Sequence, residues 1–139
     1  MSANPTRCAL DTFALLAHLQ AEPGGARVRS LLAEASRNRV ELIMTIISYG
    51  EAVYITEREQ GLAAAQELIA AVDQLPITIV AADRKLTFSA AHVKASSPLS
   101  YADAFAVALA REQEAVLVTG DPEFKHVQSL VPIEWLPQS

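Results

Sequence analysis

Hydrophobic positions along this chain switch between two periods. Short apolar, β-branched runs at residues 7–10, 42–47, 77–80 and 115–119 predict strands, and a stretch over 132–136 whose prolines suit a sheet edge predicts a fifth. Between them apolar residues recur at helical spacing, predicting helices near 12–20, 26–38, 49–60, 62–75, 84–95 and 101–114. In the second of these, Val28, Leu31, Leu32 and Ala35 share one face. Glu22-Pro23-Gly24-Gly25, Gly61 and Ser96-Ser97-Pro98 break the pattern where one helix must end and the next begin. Continuous apolar strands alternating with helices predict an α/β fold. Its core is a mainly parallel sheet of four to five strands, covered by helices on both faces.

The 139 residues suit a single domain spanning 1–139, and 51% hydrophobic against 19% charged residues suits a compact core. No repeat, linker or low-complexity segment interrupts the pattern, so disorder is expected only in the first few and last two or three residues. The lone cysteine, Cys8, lies in the first apolar run and reads as a small core side chain. It leaves no disulfide within the chain, which fits a reducing compartment. The N-terminus lacks the long apolar segment of a signal peptide, and no run is long enough to span a membrane, so a soluble cytoplasmic protein is expected. A net charge of −5 argues against nonspecific binding to nucleic acid. It leaves room for a nuclease whose clustered acids are offset by a bound cation.

Candidate chemistry enters with four acids just past apolar runs: Asp11, Glu51, Asp103 and Asp121. Each has a local explanation. Asp11 and Asp121, the latter followed by Pro122, fit helix N-caps, while Ser48 to Glu51 and Ser100 to Asp103 have capping-box spacing. Their common position is not explained by capping. In a parallel sheet all strands end on one edge, so these acids converge there, and like charges so gathered repel unless a cation bridges them. Carboxylate oxygens are the ligands of Mg²⁺ and Mn²⁺. Asp83 also follows a strand, but on an edge strand it is expected only to cap a helix. Glu123, close behind Asp121, is a further candidate ligand or rim residue. No Gly-rich phosphate loop, nucleophile elbow or second aspartate of an aspartyl phosphatase is present, and His18, His92 and His126 lack metal-ligand spacing.

Leu10-Asp11-Thr12-Phe13-Ala14-Leu15-Leu16, Ser48-Tyr49-Gly50-Glu51-Ala52-Val53-Tyr54, Leu99-Ser100-Tyr101-Ala102-Asp103-Ala104-Phe105 and Val118-Thr119-Gly120-Asp121-Pro122-Glu123-Phe124 occur in one order across nearly the whole chain. In that order and spacing the chain resembles PIN-domain ribonucleases, particularly the VapC toxins of bacterial toxin–antitoxin pairs. The resemblance implies an endoribonuclease dependent on Mg²⁺ or Mn²⁺, with Asp11, Glu51, Asp103 and Asp121 as catalytic, metal-binding acids. Thr119 and, more weakly, Thr12 would support them through their hydroxyls. It also implies an antitoxin partner, an RNA substrate and a homodimer, with helices in the 49–75 region as the first choice of interface. Arg84, Lys85, Lys94 and Lys125 are candidates to guide the RNA backbone. The alternatives are a binding module without turnover and a metal-dependent phosphoesterase acting on DNA.

Overall fold

The computed structural model describes residues 5–137, so the expectation of disorder at the two ends falls outside the described residues. Five strands, β1 (Thr6–Leu10), β2 (Val40–Thr45), β3 (Ile77–Val80), β4 (Val116–Thr119) and β5 (Ile133–Trp135), form one sheet in the order β3-β2-β1-β4-β5. Every neighbouring pair is parallel. Six α-helices connect them: α1 (Thr12–Leu19), α2 (Gly25–Ser36), α3 (Ile46–Gln60), α4 (Leu62–Val72), α5 (Arg84–Ser96) and α6 (Tyr101–Glu112). A 3₁₀ helix over Pro122–Val127 precedes β5.

Alternation along β1 distributes the core. Cys8 and Leu10 face the cluster that α2 fills with Val28, Leu31 and Leu32, while Ala9 faces the cluster that α6 fills with Phe105, Val107 and Leu109. Met44 of β2 packs with Leu15, Tyr49, Ala52 and Leu68 from α1, α3 and α4. Both faces of the sheet are therefore buried, which is why its strands read as unbroken apolar runs. The prolines near β5 and the position of β3 agree with the two edges expected for them.

One boundary differs from the expectation. Residues 42–47 do not form one strand, because the extended segment ends at Thr45, whose hydroxyl accepts the Ser48 N–H at 2.9 Å and caps α3. Ile46 and Ile47 are thus the first residues of the helix, their β-branched character overridden by the cap. Consequently Ser48 to Glu51 is not a capping box, and Glu51 lies in the second turn of α3. Helix ends were less legible for a different reason. Ala21, Asn38 and Glu114, each just beyond a helix, take left-handed φ values of 53°, 58° and 52°, and only the asparagine has a side chain that favours that conformation.

The strand order places a topological switch between β1 and β4. The chain works outward from β1 through β2 to β3, then crosses back to β4 on the other side of β1, so a crevice opens beyond the carboxyl ends of the two central strands.

Thr45→Ala removes the α3 cap and should lower stability by about 1–2 kcal/mol. Urea denaturation measures this, and unchanged stability would mean that α3 does not depend on Thr45 to start.

Candidate functional site

Asp11 stands at the end of β1 and is only 2% exposed. Its extended backbone makes it the N-cap of α1, with Oδ1 accepting the Ala14 N–H at 2.8 Å. Its other oxygen, Oδ2, accepts a 2.5 Å hydrogen bond from the Thr119 hydroxyl at the end of β4, a length typical of a hydroxyl on a charged oxygen. The Thr119 oxygen in turn accepts the Asp121 N–H at 3.1 Å. The threonine therefore ties the two central strand ends together and sets the turn that carries Asp121. Asp121 caps the 3₁₀ helix by accepting the Glu123 N–H at 2.9 Å.

The other two acids arrive on helices. Asp103 lies in the first turn of α6, where its N–H donates to the Ser100 hydroxyl at 3.2 Å. Glu51 is positioned through Thr12, whose hydroxyl donates to the Ser48 carbonyl at 3.1 Å and so fastens the start of α1 to the first turn of α3. Thr119 thus bonds an acid directly, whereas Thr12 acts on the spacing of two helices.

Burial pushes the Asp11 carboxyl up to about 7, against the lowering effect of its hydrogen bonds, and the charges of Asp103 and Asp121 add to the rise. Asp103 is pushed up to about 6, first by burial and then by Asp121, Glu51 and Glu123. The charges of Asp121, Glu51 and Glu123 thus act on Asp103, and that of Asp103 acts on Asp11. Glu123, exposed at the rim, contributes to that field. Asp83 is exposed and caps α5, accepting the Leu86 N–H at 2.8 Å, and it appears among the charges acting on neither Asp11 nor Asp103.

Among the described residues, no three His, Cys, Asp or Glu side chains are gathered tightly enough to hold a metal ion as they stand. The donor set nevertheless fits Mg²⁺ or Mn²⁺. It consists of carboxylate oxygens, and Mg²⁺ keeps several of its waters and takes only one or two carboxylates directly. Asp103, Glu51 and Asp121 are partly exposed, so their side chains retain the freedom to turn inward. The histidines stay apart from this site: His92 and His126 are exposed, and His18 is half-buried beside Arg29.

The model of the PIN domain family matches residues 8–130, which include all four acids. The chain belongs to the PIN domain family. Its fold is that of solved VapC toxins. VapBC2 from Rickettsia felis, bound to a DNA fragment from its promoter, has a TM-score of 0.73 at 17% identity, covering 95% of this PIN domain and 100% of that chain. DNA-bound VapBC from Salmonella typhimurium also scores 0.73 at 17% identity, covering 93% and 97%. VapC20 from Mycobacterium tuberculosis, a sarcin-ricin loop cleaving toxin, scores 0.67 at 18% identity, covering 85% and 92%. No curated protein matches this chain in sequence.

Two contributors to the site escaped the sequence patterns. Gly120 sits between Thr119 and Asp121, and a Cβ there would lie 2.4 Å from Cε1 of Phe13. Ser48 serves as a carbonyl anchor, a role that no side-chain pattern signals.

The raised carboxyl values set the sign of the pH dependence. A carboxyl whose folded pKa exceeds its unfolded value of about 3.9 binds its proton more tightly when folded. Metal-free stability from these groups is therefore greatest in acid and is lost as pH rises through about 6 and about 7. His18, whose pKa burial lowers, works in the opposite sense, so the comparison of parent with Asp11→Asn isolates the carboxyl. In chelator the parent should lose more stability than Asp11→Asn between pH 5 and pH 8, read as urea midpoints. Parallel profiles would contradict the buried, strained carboxyl.

Proposed function

We propose that this PIN domain is the toxin of a toxin–antitoxin pair, an endoribonuclease that hydrolyses RNA phosphodiesters with Mg²⁺ or Mn²⁺ held by Asp11, Glu51, Asp103 and Asp121. The observation that carries it is the match to the PIN domain family over residues 8–130, all four acids included, together with the Thr119 hydroxyl on Asp11 that ties the two central strand ends together. A structural neighbour that is a sarcin-ricin loop cleaving toxin supports the substrate class, and neighbours seen as toxin–antitoxin complexes support the antitoxin partner.

When bound, the cation supplies Lewis acidity toward a phosphate oxygen and toward water. Asp11, clamped by Thr119 and the Ala14 N–H, is the fixed member and has little freedom to follow the substrate. Asp103, Glu51 and Asp121, partly exposed, are the adjustable ones. In-line attack of water on phosphorus breaks the P–O3′ bond, leaving a 5′-phosphate and a protonated 3′-hydroxyl. Arg84, Lys85 and Lys94 on α5, together with Lys125, are exposed and available to the RNA backbone, with the Arg84 guanidinium stacked 4.7 Å from the centre of the Phe88 ring.

The homodimer is part of the same proposal. Tyr54 of α3 and Leu62 and Ile69 of α4 are 48%, 59% and 39% exposed, an apolar surface that a second copy would cover. Among the described residues no helix is long and apolar enough to cross a membrane.

Asp11→Asn keeps a capping side chain and removes a charge, so it should abolish RNA cleavage while leaving metal-free stability equal or higher. Added Mg²⁺ or Mn²⁺ should raise the parent's Tm and raise the mutant's less. A mutant that cuts RNA at the parental rate, or a parent indifferent to both metals, would return Asp11 to the role of helix cap. Parallel assays on RNA and DNA test the substrate, and faster cleavage of DNA would favour the phosphoesterase alternative.

Light scattering should give a dimer mass at micromolar concentration, reduced to the monomer by Leu62→Glu. A monomeric parent would refute the assembly.

A further inference from the structure

Beside the acidic crevice lies a second hollow of about 510 Å³, walled by Phe13, Leu16, Pro23, Pro122 and Pro137, with Gln20 at its margin. Two of its residues adjoin the acids in the chain: Phe13 lies two residues after Asp11, and Pro122 directly follows Asp121. The Phe13 ring is seated against the backbone that links Thr119 to Asp121. A Cβ on Gly120 would meet ring atoms Cε1 and Cζ at 2.4 and 2.6 Å, so only glycine allows this approach. The strand end that orients Asp11 through Thr119 therefore also locates the aromatic wall of the hollow.

We propose that this hollow is a nucleobase subsite, in which the base of a nucleotide flanking the scissile phosphate stacks on the ring of Phe13. The assignment rests on the nuclease reading for the word scissile, but the pocket chemistry stands apart from it. The volume accommodates one base with its sugar. None of its lining residues is Lys or Arg, and Glu22 on its wall adds a negative charge, so the phosphate is not the part of a nucleotide that it would accept. A base is flat, uncharged and able to stack, and its edge would find donor and acceptor groups in Gln20 and Glu22. Neutral stacking also meets a need of this particular site. The crevice carries several carboxylates that repel a polyanion, so affinity close to them has to come from a part of the RNA without charge. Because the ring and Asp11 share the Thr119–Gly120–Asp121 support, a base held on Phe13 would place its phosphate in register with the acids.

Adenosine and ribose serve as probes for the full chain in chelator, followed by amide shifts in NMR. Adenosine should give a saturable response at Phe13 and Gln20, and ribose none. Phe13→Leu should weaken adenosine binding about five- to a hundredfold, the range of one stacked base, while Phe13→Tyr keeps the ring and should restore it. Equal binding by parent and Phe13→Leu would overturn the subsite. So would no response to adenosine, or an equal response to isoamyl alcohol, which would mark a seat for an aliphatic protein side chain. The second arm uses RNA with an abasic nucleotide beside the cleaved bond and added Mg²⁺. The parent should cut intact RNA faster by a similar factor, and Phe13→Leu should lose the distinction. Should adenosine bind at Phe13 while no RNA is cut, the nuclease reading fails and the base site stands. Should RNA be cut without either difference, the base site fails and the nuclease reading stands.

Discussion

A single buried carboxylate governs the arrangement of this PIN domain. Asp11 closes the central strand of the sheet, is removed from water, and is held through both oxygens, one by the first turn of α1 and the other by Thr119 of β4. Burying a carboxylate is unfavourable by several kcal/mol unless hydrogen bonds or a counter-charge compensate. Here the hydrogen bonds offset only part, and the carboxyl remains pushed up to about 7. The fold thus retains a group whose charged form is better accommodated with a cation than without one.

The same group explains the geometry around it. Because Thr119 donates to Asp11 and accepts from the Asp121 N–H, the two central strand ends and the turn after β4 form one unit. Gly120 within that turn brings the Phe13 ring against the backbone. Thr12, one residue beyond Asp11, fastens α3 through the Ser48 carbonyl and so determines where Glu51 can stand. Three short-range devices, a cap, a hydroxyl relay and a glycine contact, bring acids that lie far apart in the chain to one crevice.

The distribution of charge also separates functions over the surface. In a chain whose net charge is −5, cations fall in two groups: Arg84, Lys85, Lys94 and Arg111 on α5 and α6, and Arg27, Arg29, Arg37 and Arg39 on and just after α2. Some are already engaged, as in the 3.7 Å pair of Lys85 with Glu112, in which the lysine is largely exposed and the glutamate mostly buried. The acids of the crevice and the exposed cations of α5 thus stand on different segments of the chain.

Period and composition were sufficient for the α/β class, the parallel sheet and both edge strands, and they singled out four acids as candidates, because burial on both faces leaves its trace in continuous apolar runs and short polar punctuation. Asp83 could likewise be set aside from the sequence, since an edge strand takes its following cap away from the switch point. Other features needed the folded chain. The strand at Ile46 and Ile47 was overruled by the Thr45 cap, where a hydroxyl one residue earlier outweighed β-branched propensity. The helix end near Ala21 was announced by Glu22-Pro23-Gly24-Gly25, whereas Glu114 has no preference for left-handed backbone, so nothing local announced the end of α6. The distance between carboxylates, the relay through Thr119 and the contact of Phe13 with Gly120 join residues about a hundred positions apart. Sequence pattern records which side chains are hidden and which can bind a hard cation, but how closely they approach depends on packing between elements, and only the tertiary structure sets that balance against repulsion.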